Sequence, residues 1–159
     1  FNWQDRHQTL NFSLEDYRIP ADGKYWLRDF WQNETYRLAA NETIRLDIAP
    51  HGVRLFAVRT ENNLSPVYLG SNLHVSQGLE LKQKTWQPAE GSLDLYIERP
   101  GKATGIIELN LPAAPLSASL DERQIEWKST PNGTVQFSLE FEMQAHIHIL
   151  LAKNSMPEA

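Results

Sequence analysis

The sequence predicts an all-β protein made of antiparallel β-sandwich modules, with little or no helix. Three observations carry that prediction. Apolar and polar residues alternate with a period of two in run after run, the pattern of a strand with one buried face. Turn-forming pairs and triplets bound the runs at Asp22-Gly23, Pro50-His51-Gly52, Glu90-Gly91, Pro100-Gly101 and Asn132-Gly133, and closely spaced turns mark sandwiches and barrels. The 3.6-residue period of an amphipathic helix is almost absent.

In chain order, Leu10, Phe12 and Leu14 alternate with Asn11, Ser13 and Glu15 in the first run. The second places Trp26, Arg28 and Phe30 on one strand face and Leu27, Asp29 and Trp31 on the other. Ile44, Leu46 and Ile48 form the third, and 53–58 a fourth after the Pro-His-Gly turn. Leu79 and Leu81 point inward, with Glu80 and Lys82 outward. Leu93, Leu95 and Ile97 alternate with Asp94, Tyr96 and Glu98, and Ile107, Leu109 and Leu111 with Glu108 and Asn110. Val135, Phe137, Leu139 and Phe141 precede a last run with Ala145, Ile147, Ile149 and Leu151 inward and His146 and His148 outward. The polar, proline-closed stretch 60–66 divides the chain into a module over 1–61 and a second over 67–153, followed by a flexible tail at 154–159. A β unit of about 60 residues buries little surface alone, so the two modules are expected to pack on each other or to share one larger sandwich.

Composition narrows the function. Hydrophobic residues make up 41% of the 159 residues and charged residues 22%, the balance of a globular domain. The formal charge of −5 argues against a nucleic-acid partner, which requires clustered basic surface. No apolar run is long enough for a membrane-spanning helix. The absence of cysteine excludes disulfides, a thiol nucleophile and Cys-ligated metal. The chain starts at Phe1 without a methionine or signal peptide, which reads as a fragment or a processed form. The compartment, cytoplasmic or secreted, is left open.

No phosphate loop, His-Glu-x-x-His pair or Gly-x-Ser-x-Gly elbow occurs. His146 and His148 lie two apart on one strand face and could hold a metal if a third ligand approached; an ordinary polar face is the simpler reading, and no cofactor is expected. Asp29, flanked by aromatics, is the best isolated carboxylate, but a buried Asp needs donors to offset desolvation, and Arg28, Arg37 or Arg45 could supply them. Among five tryptophans, Trp26 and Trp31 fit core plugs. Trp86 and Trp127 have polar neighbours and are expected to be exposed, where an indole face could stack on a sugar ring.

Three segments then resemble one family in order. Phe1-Asn2-Trp3 with the strand around 10–14, Gly23-Lys24-Tyr25-Trp26-Leu27-Arg28-Asp29-Phe30-Trp31, and Ile48-Ala49-Pro50-His51-Gly52-Val53-Arg54-Leu55-Phe56-Ala57-Val58 look like the C-terminal β-sandwich that follows the (β/α)8 barrel of melibiase-type α-galactosidases and glycoside hydrolase family 36-like proteins. The resemblance covers residues 1 to about 60. A weaker one, through 67–78, is to an additional β-module of some large bacterial relatives. It implies a non-catalytic region that stabilises or packs against a barrel in the same parent chain. The family's catalytic aspartates lie in that barrel, so no catalytic residue is expected here, and Asp29 and His51 become scaffold positions. The alternative is a carbohydrate-binding module using exposed aromatics such as Trp86 and Trp127.

Overall fold

The computed structural model describes residues 1–152. The expected tail at 154–159, and residue 153, lie outside the described residues. Two compact units, Phe1–Glu61 and Asn62–Ala159, divide the chain. All strand pairs are antiparallel.

The first unit holds β1 (Gln8–Phe12), a single 3-10 turn at Glu15–Tyr17, β2 (Lys24–Asp29), β3 (Glu34–Ala39), β4 (Ile44–Ile48) and β5 (Phe56–Thr60). β1 pairs β4, and a second sheet runs β3-β2-β5. Leu14, Tyr25, Leu27, Leu38 and Ala40 are buried together, with Phe12, Ile44, Phe56 and Val58 packed against them. Both sheets thus contribute to one small core. Being central, β2 is buried on both faces from Tyr25 to Asp29. The expected inward face of the first run holds only in part: Leu14 is buried but Leu10 is exposed, because β1 is an edge strand paired on one side alone.

The second unit comprises β6 (Val67–Ser71), β7 (Leu81–Gln87), β8 (Ser92–Asn110), β9 (Pro115–Leu120), β10 (Arg123–Gln124), β11 (Trp127–Ser129) and β12 (Val135–Leu151). Its sheet runs β10-β9-β12-β8-β6, with β11 on β12 and β7 on β8. The spine is the long β8/β12 pair. Inward residues from both of its ends, Leu93 and Ile149 as well as Leu109 and Phe137, join one core. The ladder shifts register at a bulge between Glu142 and Met143, opposite Pro100 and Gly101, and a bulge bends its strand. Pro100-Gly101 is therefore not the expected turn between strands. It is extra chain looped out of a continuous strand, where a residue without an N–H is tolerated and Gly101 adopts φ 74°.

The phase expected around 79–82 holds at Leu81, which packs against the second core, and at Lys82, which is exposed, but not at the preceding pair. Leu79 is exposed and Glu80 buried, because the Tyr68 hydroxyl (2.7 Å) and the Ser71 hydroxyl donate to the Glu80 carboxylate. Those two donors supply part of the solvation that burial removes.

Candidate functional site

In the first unit, the three segments that carry the resemblance meet as structure. Asn2 is buried, and its side-chain amide lies 2.9 Å from the Ala49 carbonyl, 3.1 Å from that of Ile48 and 2.8 Å from that of Arg6. The Asn2 N–H donates to the Gly52 carbonyl at 2.9 Å. Asn2 therefore clasps the Pro50-His51-Gly52 turn. His51 sits in that turn at φ 53° with its ring exposed, 2.8 Å from Asp5.

Asp29 has no exposed surface. One carboxylate oxygen accepts the Trp31 N–H (2.9 Å) and the Gln32 N–H (3.0 Å), and the other accepts from Arg54. The arginine bonded to it is Arg54, from the third segment, which is outside the three expected. Arg28 is directed to Asn33, and Arg37 to Glu61; Arg54 lies 25 residues away in sequence, which is why strand-face reasoning missed it. Burial works against the Arg54 charge, but Asp29 and then Tyr36 outweigh it and hold the guanidinium above its ordinary value. An Asp with its lone pairs occupied by backbone and guanidinium donors is a fastening, poorly disposed to act as base or nucleophile.

In the second unit, His146 and His148 share one partner. His146 Nε2 lies 2.7 Å and His148 Nδ1 2.8 Å from the same oxygen of Asp94. Asp94 faces His148 across the β8/β12 ladder, and Tyr96 faces His146. The rings of Tyr96 and His146 stack at 4.5 Å, 11° from parallel. Burial pushes the Asp94 carboxyl up, but hydrogen bonds from His148 and His146 and their charges bring it, on balance, below its ordinary value. The two histidines thus come together, as their spacing requires. Among the described residues, however, no group of three or more His, Asp or Glu side chains is arranged to hold a metal ion.

The tryptophans separate. Trp26 is buried, with the Arg37 guanidinium 5.8 Å from its ring centre, but Trp31 is 56% exposed. It lies past the end of β2, where the inward-outward alternation lapses. Trp86 is not free as expected: it is half-buried against the second core in a cleft with Leu64, Pro88, Pro112 and Leu151. Trp127 is 37% exposed and tilted against Phe137 at 6.3 Å. Trp86 is opposite Leu93, which pairs Ile149, whereas Trp127 is opposite Phe137. The two tryptophans therefore flank opposite ends of the β8/β12 ladder, Trp86 in the cleft beside Leu151 and Trp127 against Phe137.

The first unit is, in class, a small antiparallel sandwich whose polar side chains fasten its turns. Residues 1–58 match the family described as the alpha galactosidase C-terminal beta sandwich domain. The match ends there, leaving the second unit outside it. No curated protein matches the chain.

Proposed function

We propose that this chain is a non-catalytic accessory β-region of an alpha-galactosidase-like glycoside hydrolase, which packs against and stabilises a (β/α)8 catalytic barrel of the same parent. The observation that carries the reading is the family match over residues 1–58; within that segment Asp29 is occupied by Arg54 and two backbone N–H groups. Glycoside hydrolysis needs two carboxylates free to reach a glycosidic bond, and Asp29 is not free.

Two experiments test the reading. The purified chain should release no p-nitrophenol from p-nitrophenyl α-galactoside above the buffer rate; turnover that tracks the protein through purification overturns it. The parent enzyme with this region deleted should unfold at a lower temperature than the intact parent. An unchanged melting temperature removes the stabilising role.

A further inference from the structure

We propose that the outer face of β8 and β12 carries a binding site for a neutral saccharide, centred on Tyr96 and edged by Lys82, Glu98, Asp121 and Gln144. The inference does not depend on the parent's activity, since it rests on the second unit alone.

A cleft of about 350 Å³ lies on this face, bounded by those side chains together with His146 and the strand backbone at Ile97 and Ala145. Its floor holds two outward-facing cross-strand pairs, Tyr96 with His146 and Glu98 with Gln144, and Asp94 with His148 is the next rung beside it. A regular sheet face would leave such side chains mobile. Here Asp94 orients both histidines, and His146 in turn stacks on Tyr96. The tyrosine ring is ordered by that stack while remaining 44% exposed. An aromatic side chain already ordered by its neighbours loses little entropy on binding.

Three departures from regular sheet geometry surround the same spot. β7 shifts register between Leu81 and Gln83, placing Lys82 at the irregularity. β12 bulges at Glu142/Met143, with Met143 at φ 64°. The β9–β10 turn puts Asp121 at φ 47° and Glu122 at φ 70°, left-handed conformations that usually fall to Gly or Asn in a two-residue hairpin turn. That turn is bonded onto the ladder: the Asp121 N–H donates to the His146 carbonyl and the Asp121 carboxylate accepts the His146 N–H, both at 2.9 Å. Bulges and non-glycine left-handed residues gather where a side chain must be re-aimed.

The lining chemistry selects the ligand class. Glu98 and Asp121 accept hydrogen bonds and Gln144 does both. The Lys82 ammonium donates, with one proton already directed to the Leu79 carbonyl at 3.1 Å. Hydroxyl groups on adjacent ring carbons donate and accept in the same alternation. The Tyr96 ring offers a flat apolar surface for the C–H face of a sugar ring. Two carboxylates against one ammonium disfavour a phosphate, and four polar edges disfavour a purely apolar ligand.

The test is an amide-resonance titration of the isotope-labelled chain with methyl β-galactoside, methyl β-glucoside and methyl α-mannoside. At least one should give saturable shifts with a millimolar dissociation constant, confined to Tyr96, Asp121, Gln144, His146 and their neighbours. Tyr96→Ala and Gln144→Ala each change an exposed side chain, so both variants should keep the native spectrum and bind about tenfold more weakly. Absence of saturable shifts with all three glycosides overturns the proposal. So do shifts unaffected by both substitutions, and so does a response to tetramethylammonium or phosphate without one to the glycosides.

Discussion

Asp29 can be buried with no exposed surface because each oxygen has a donor, and its partner Arg54 is itself only 15% exposed. Removing one member of such a pair strands the other's charge. Asp29→Ala should destabilise the chain by about 3–5 kcal/mol, read from the midpoint of urea unfolding, and Asp29→Asn by less, since an amide oxygen can still accept the Trp31 and Gln32 N–H groups. Asp94 makes a contrasting prediction. Its carboxyl is held below the ordinary value of 3.8 by the two histidines, which outweigh the upward push of burial. A depressed carboxyl stabilises the fold above its unfolded-state value and loses that contribution as pH falls through the lower folded-state value. The stability advantage of wild type over Asp94→Asn should thus be present above about pH 4, at about 1 kcal/mol for a partly exposed group. It should vanish below that. An advantage that persists at pH 2 would refute the assignment. The residues of this cluster were visible in the sequence as outward positions of alternating runs, Asp94 and Tyr96 in one and His146 and His148 in the other. What alternation could not supply was the pairing and register that set them side by side.

At the scale of elements, inner faces were the legible part. Leu93, Leu95, Ile97, Ile107, Leu109, Phe137, Ile147 and Ile149 all point into one core and all lie on the expected phase. The reading failed where a local signal met a longer-range demand. Pro100-Gly101 has the composition of a turn, yet β12 pairs on both sides of it and makes one strand of what read as two. Glu80 sits on the wrong phase because hydroxyls from β6 reach it, and the Asp29–Arg54 pair was missed because its members come from different segments. The core itself sets a further expectation. Phe137 is fully buried near the Asn110-side end of the spine, so Phe137→Ala should cost about 3–5 kcal/mol in the same unfolding measurement. Gly105 offers a sharper check on backbone approach: a Cβ there would stand 2.5 Å from Asn72 Oδ1 and 2.7 Å from Leu73 Cδ2. Gly105→Ala should destabilise the second unit, seen as earlier loss of amide protection on β6 and β8 than on unchanged protein.

For the whole molecule, the division falls at Glu61/Asn62. The Asn62 side chain accepts the Leu64 and Ser65 N–H groups at 2.8 and 3.1 Å, and Leu64 is 84% exposed. Brief chymotrypsin digestion should therefore cleave after Leu64 and release two fragments, each resistant to further cutting; scattered cleavage inside β8 or β12 instead would count against two separately compact units. The long β8/β12 pairing also sets an order of assembly. Its Asn110-side end joins residues near 109 to those near 135, whereas its far end joins Ser92 to Leu150. Closing the shorter loop loses less chain entropy, so zippering should begin at the 109–135 end and travel outward past the bulge. The Asp94–His146–His148 cluster lies beyond the bulge and is reached late. A time-resolved probe on Tyr96 or His146 should therefore lag reporters placed between the 109–135 end and the bulge.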